Sequence, residues 1–97
     1  MEKQFYVYIL TNKLNGTLYT GMTDDLLRRT DEHKTEAAES FTKKYKCKML
    51  VYYEAGHDYE SALRREKRLK KWSRKWKLDA INNMNPEWND LYEAICQ

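Results

Sequence analysis

Cysteine, proline and glycine are scarce in this chain, and each scarcity closes off a class of protein. The two cysteines, Cys47 and Cys96, form no Cys-x-x-Cys pair. Neither a zinc site nor a disulfide framework is indicated, and a reducing, cytoplasmic setting is expected. One proline and three glycines, with 41% hydrophobic and 13% aromatic residues, describe a folded globule rather than a disordered segment. No apolar run approaches the roughly 20 residues that a membrane span needs. The first ten residues also lack the charged, apolar and small-residue order of a secretory signal. A length of 97 residues suits one modest core. A single domain over 1–97 is expected, with 1–82 as its body and a C-terminal helix over 85–97 packed on it.

Acid is scarce in one place only. Residues 64–77 hold nine of the eighteen Lys and Arg residues and a single acid, Glu66, for a net +8. The remaining residues carry nine bases against fourteen acids, so a net charge of +3 hides a strong split. Such a split makes one face basic, either as a solvated helix surface or as a phosphate-binding face.

Residues 5–11 are aromatic and β-branched and read as a strand. Phe5, Val7 and Ile9 point one way and Tyr6, Tyr8 and Leu10 the other, so cover on both faces is expected. Asn15-Gly16 is a hairpin signal, and Leu18 to Gly21 returns antiparallel. A two-residue turn puts Tyr19 on the face of Tyr8 and Leu10, whereas a three-residue turn with a Gly16 bulge puts it on the opposite one. Asp24 or Asp25 caps a helix reaching His33 or Lys34, with Leu26, Leu27, Thr30 and His33 inward and Arg29 at the edge of that face. Residues 35–46 read as a connecting loop with at most one helical turn. Within it, Phe41 to Tyr45 is an aromatic–basic cluster that either follows a nucleic-acid backbone or packs its rings down.

Lys48 to Ala55 reads as a third strand, with Met49, Val51 and Tyr53 on one side and Leu50 and Tyr52 on the other. Asp58 caps a helix from Tyr59 to about Lys71, whose apolar stripe is Ala62, Leu63 and Leu69. Glu66 projects within that stripe, and a carboxylate there needs a cation, either a protein base such as Arg29 or a hard divalent metal. Ser73 caps a further helix with Trp76, Ala80, Ile81 and Met84 inward. Asn85-Pro86 then opens a last helix presenting Trp88, Leu91, Tyr92 and Ile95 to the core. The fold class is therefore α+β, a small three-stranded antiparallel sheet flanked by helices.

Taken together these residues resemble the GIY-YIG nuclease superfamily, in particular its small single-domain bacterial members. Tyr6-Val7-Tyr8 stands for the first motif, with Tyr6 in place of glycine, and Tyr19-Thr20-Gly21 for the second. Arg29 follows Gly21 by eight, His33 follows Arg29 by four, and Glu66 sits in a Glu-x-x-Leu-Lys context. Asn85-Pro86-Glu87-Trp88 and the Phe41–Tyr45 cluster are similar to features of the small branch. There are departures. The excision-repair endonuclease subunit of this superfamily carries a lysine where Met22 stands, so that cation is absent or replaced by Lys43 or Lys44.

The resemblance implies an endonuclease hydrolysing phosphodiester bonds in DNA, structure-directed or non-specific, with one magnesium or manganese ion. It implies that Glu66 holds the metal, that Tyr19 or Tyr8 positions and deprotonates water, that Arg29 stabilises phenolate or grips phosphate, and that His33 relays a proton or orients a tyrosine. Gly21 is the structural motif residue. Lys43, Lys44, Arg65, Arg68, Lys70 and Lys71 would hold the flanking backbone without reading bases. The alternatives are a nucleic-acid-binding module that cleaves weakly or not at all and acts with a partner protein, and an interaction domain whose basic helix meets an acidic partner.

Overall fold

The computed structural model describes residues 4–35 and 40–96, the side chains of residues 40–42 excepted. Among them the order is β1 (Phe5–Thr11), β2 (Leu18–Thr23), α1 (Leu26–Lys34), α2 (Ser40–Tyr45), β3 (Met49–Gly56), α3 (Tyr59–Lys71), α4 (Arg74–Met84) and α5 (Tyr92–Ile95). The strands form one antiparallel sheet in the order β2–β1–β3, the α+β architecture read from the sequence.

The doubly apolar pattern of β1 makes it the central strand. Val7, Tyr8, Ile9 and Leu10 are each at most 1% exposed. Val7 and Ile9 pack with Ala62 and Leu69 of α3 and Ile81 of α4. Tyr8 and Leu10 face the other way, onto Leu26 of α1, with Leu91 and Ile95 beside them. Helices α3 and α4 therefore cover one face, and α1 and the C-terminal segment cover the other.

The β1–β2 connection is neither of the two turns considered above. Leu10 faces Tyr19 and Thr11 faces Leu18, which leaves a six-residue loop, 12–17, closed by Gly16 N–H donating to Lys13 O at 2.9 Å. Asn15 takes the left-handed conformation, with φ 56°, and Gly16 does not. Gly16 is required for space instead, because a Cβ there would meet Asn12 Oδ1 at 2.0 Å, and that oxygen accepts from Thr17 N. Relative to the two-residue turn the register has slipped by two, which preserves the face. Tyr19 lies with Tyr8 and Leu10.

β3 departs from strict alternation. Ile9 pairs with Tyr52 but Leu10 with Leu50, so Val51 is an extra residue in a β-bulge. Tyr52 consequently joins Met49 and Val51 on the α3 face, and Tyr53 joins Leu50 on the Tyr8 face, reversing the expected sides of Tyr52 and Tyr53. A bulge leaves backbone groups without ladder partners, and the C-terminal segment supplies them. Asn85 Nδ2 donates to Val51 O at 3.2 Å, Leu91 N to Leu50 O at 2.7 Å, and Leu50 N to Asp90 Oδ1 at 3.1 Å. Asp90 also holds Lys34 Nζ at 2.5 Å, tying α1 to the same point.

That service explains why the expected helix over 85–97 is reduced to α5. Asn85 is not an N-cap. It ends α4, its N–H donating to Ile81 O, and its buried amide is committed to Val51 O and to Asn89. Trp88, with φ 56°, then turns the chain inward, so Trp88, Leu91 and Ile95 still reach the core. Helices α1, α3 and α4 begin at Asp25, Ser61-bonded Asp58 and Ser73 as N-caps, as the capping pattern predicts. Three side chains expected inward are exposed, namely Leu27, Trp76 and Met84. In α4 the buried line runs through Leu78 and Ile81, which rotates Trp76 outward. Residues 40–45 form a helix rather than a loop. The side chain of Phe41 lies outside the described residues, and Tyr45 is exposed.

Asn85→Ala is expected to lower stability by about 2–3 kcal/mol, since it strips the donor from the Val51 carbonyl of the bulge and removes both bonds to Asn89. Urea denaturation of the two proteins measures it.

Candidate functional site

The centre of the Tyr8 face is polar. Tyr8 is 1% exposed and His33 is also 1% exposed. A phenol buried this deeply needs a partner, and Tyr8 Oη meets His33 Nε2 at 3.1 Å. Tyr19, half-buried on β2, closes the group, its ring centroid 5.5 Å from that of His33 and 6.4 Å from that of Tyr8. Gly21 makes this packing possible. A Cβ at Gly21 would stand 2.5 Å from Tyr8 Oη and 3.1 Å from Tyr19 Cε2.

α1 delivers His33 because Leu26, Thr30 and His33 share its buried stripe. Arg29, one turn before His33, is mostly covered and donates through Nη1 to Glu32 Oε1 at 3.0 Å. At the end of α1 the Tyr92 hydroxyl donates to the Asp31 carboxylate, which pushes the Tyr92 phenol up.

Glu66 lies on the other face of the sheet. It is 16% exposed and its carboxylate stands 3.5 Å from Lys70 Nζ on the same helix. The start of α3 is held beside β1 by the Phe5–Tyr59 ring contact at 5.6 Å. Just beyond its end, Arg74 donates to Asn15 O and Gly16 O in the hairpin loop. Helix α3 thus runs from the start of β1 towards the hairpin loop, with Glu66 in its middle turn. The structure brings Tyr8, Tyr19, His33 and Gly21 together, with Arg29 a turn away. It leaves Glu66 on a helix that covers the opposite face of the sheet.

Among the described residues there is no cluster of three or more His, Cys, Asp or Glu side chains suited to a metal. The donor set is a single carboxylate. It fits a hard ion such as magnesium, which keeps several waters and shares its remaining positions with substrate phosphate.

The basic residues divide. Lys43, Lys44, Arg68, Lys70 and Lys71 are exposed, Lys44 standing over the Tyr45 ring at 5.4 Å. Arg65 differs: its Nε donates to Glu54 Oε2 at 2.9 Å and its guanidinium lies 4.9 Å from the Trp72 ring centroid. Tyr52 Oη donates to the other Glu54 oxygen at 2.5 Å. Burial, and then that carboxylate, push the Tyr52 phenol up to about 12. Lys77 is lowered by burial and then by the charge of nearby Lys70.

A family model described as the GIY-YIG catalytic domain matches residues 4–79. The chain belongs to the GIY-YIG family. A UPF0213 protein of Bacillus pumilus is 30% identical over 93 residues, covering 96% of this chain and 95% of its own length. Another from Staphylococcus saprophyticus is 37% identical over 82 residues, covering 84% and 98%. The solution NMR structure of a UPF0213 protein from Bacillus halodurans superposes with a TM-score of 0.56 at 30% identity, covering 90% of this chain and 92% of that one. GIY-YIG domains form a nuclease-type family, and both motifs of this chain, Tyr6-Val7-Tyr8 and Tyr19-Thr20-Gly21, lie on the two strands that meet at the aromatic group.

Residues whose roles local patterns do not reveal surround this GIY-YIG core. Asp90, which no local pattern marks, braces the bulge together with Asn85, whose local signal pointed to a helix cap instead. Trp72 and Trp76 form an edge-to-face pair at 5.9 Å outside it. Their i, i+4 spacing was visible, but a helix boundary falls between them.

Gly21→Ala is expected to displace Tyr8 and destabilise the fold by about 1–3 kcal/mol, the usual cost of overpacking. Loss of the Tyr8–His33 bond in the His33 ring NMR signals checks it. A second outcome concerns pH. The folded chain keeps the Tyr52 proton until about pH 12, while an unfolded tyrosine releases it near pH ~10. The native state thus binds more protons in that window, and stability falls as pH rises through it. Tyr52→Phe should flatten the fall in a pH series of denaturation curves, with the Tyr92 contribution remaining.

Proposed function

We propose that this chain is a metal-dependent endonuclease that hydrolyses phosphodiester bonds in DNA, directed by structure or acting without sequence preference. The observation that carries the reading is the buried Tyr8–His33 bond with Tyr19 packed against His33. A buried phenol and imidazole with a second, half-buried phenol against them are costly for a purely structural core. They suit proton handling, which a chain of a nuclease-type family would need.

In this reading water attacks phosphorus, the bond to the 3′ oxygen breaks, and the products are a 5′ phosphate and a 3′ hydroxyl. Tyr19, the more exposed of the two tyrosines, positions the water and takes its proton. Tyr8 is sealed from solvent and is held by His33. With the imidazole proton on Nδ1, Nε2 accepts from Tyr8 Oη, and this fixes the ring against which Tyr19 rests. A tyrosine is a poor base unless a cation favours phenolate, and Arg29 supplies that charge or grips the phosphate with its planar fork. Glu66 would hold one magnesium or manganese ion, which when bound offsets charge on the phosphoryl and leaving oxygens. Lys43, Lys44, Arg68 and Lys71 hold the flanking backbone.

One observation favours a second reading, a nucleic-acid-binding module that does not cleave. Glu66 pairs with Lys70 on the face away from the tyrosines, and Met22 stands where a cation occurs in repair members.

Nicked, branched and single-stranded DNA, each with and without magnesium, separate the two. Cleavage should require the metal, and Glu66→Gln should lower it on the order of 100-fold while binding persists. Equal cleavage by Glu66→Gln removes the metal assignment. Binding with no cleavage by the unaltered protein supports the second reading.

A further inference from the structure

Across the sheet from Gly21, a groove of about 980 Å³ runs between edge strand β3 and the α3–α4 corner. Its walls combine two kinds of side chain. Trp72 and Trp76 present indole rings, and Asp79 and Asn83 follow Trp76 at i+3 and i+7 on the same stripe of α4, with Ala80 between them. Trp76 is 58% exposed, a large indole surface left to water on a helix whose buried line lies elsewhere. Trp72 has two neighbours, the Arg65 guanidinium at 4.9 Å and Trp76, whose ring lies nearly perpendicular to it at 5.9 Å.

Charge is layered here. Inside the groove, Arg65 is already matched by Glu54, and Asp79 adds an acid, so the interior repels phosphate. Outside it, exposed Arg68, Lys71 and Lys75 belong to the +8 segment. Aromatic faces with an acid and an amide suit the ring and donor edge of a nucleobase, and the outer cations suit its backbone.

We infer that this groove binds an unpaired base of a single-stranded nucleic acid, stacked on Trp76, while the strand's phosphates run along the exposed cations of α3 and α4. The inference rests on the nucleic-acid reading above and narrows its substrate to one that carries an unpaired stretch.

Binding in chelator, without metal, to a thymidine oligonucleotide and to an abasic strand of equal length tests it. The ordinary strand should bind about tenfold or more tighter, since a stacked base contributes on that scale. Trp76→Ala should abolish the difference, and Trp76→Phe should keep part of it. Ala80→Gln, which fills the groove while leaving both indoles, should also reduce it, so a folding defect in one variant does not leave the result open. Equal affinity for both strands, a preference that survives Trp76→Ala and Ala80→Gln, or no binding to either strand overturns the inference. Magnesium-dependent cleavage of nicked duplex that fails with Glu66→Gln would in that case still support the nuclease reading.

Discussion

The hydrogen bond between Tyr8 and His33 is the constraint around which this fold is arranged. Tyr8 occupies the middle of the central strand, where an aliphatic residue would pack without further demands. Its hydroxyl is buried there, and a buried phenol without a partner costs about 1–3 kcal/mol. His33 satisfies it at 3.1 Å, and only an α1 lying with its Leu26–Thr30–His33 stripe on this face can do so. The same bond fixes where Arg29 emerges and demands glycine at 21, because any side chain there would strike the phenol. One polar contact thus sets the helix position, the identity of a strand residue and the presentation of Tyr19.

A second set of constraints holds the opposite edge. The bulge at Val51 shifts the phase of β3 and moves Tyr52 and Tyr53 to new faces. It survives because Asn85, Asp90 and Leu91 satisfy its backbone. Asp90 then couples this edge to α1 through Lys34, so the C-terminal segment braces the element that carries Arg29 and His33. A helix over 85–97 would have lost these bonds, which is why the chain turns at Trp88 instead.

Much of this was legible in the residues. The bounds of α3 followed from the Asp58 cap and the Ala62–Leu69 stripe, and the apolar residues on both sides of β1 marked it as covered on both faces. The face of Tyr19 could be stated only conditionally, since loop length was unknown, yet a slip of two residues leaves the face unchanged. The bulge was hidden because a strand that is apolar on both sides shows no break in alternation when one residue is added. Asn85-Pro86 carries the same local signal whether Asn85 caps the next helix or plugs a distant strand. Trp76 was assigned inward because an aromatic residue suits either phase of a short helix. For the candidate site, Tyr8, Tyr19, Arg29 and His33 could be named only through the resemblance of their order and spacing to the GIY-YIG motifs. The stripe on α3 showed that Glu66 faces the sheet but not which side of the sheet α3 covers.

In the nuclease reading proposed above, Glu66 and the Tyr8–Tyr19–His33 group, on opposite faces of the sheet, serve one metal-dependent site. Titration with manganese, read as residue-specific broadening of backbone amide NMR signals, tests it most directly. The account predicts strongest broadening at Glu66 and at Gly21–Met22 of β2, abolished by Glu66→Gln. Broadening centred on the acids Asp24, Asp25 or Glu32, unchanged by Glu66→Gln, would contradict it.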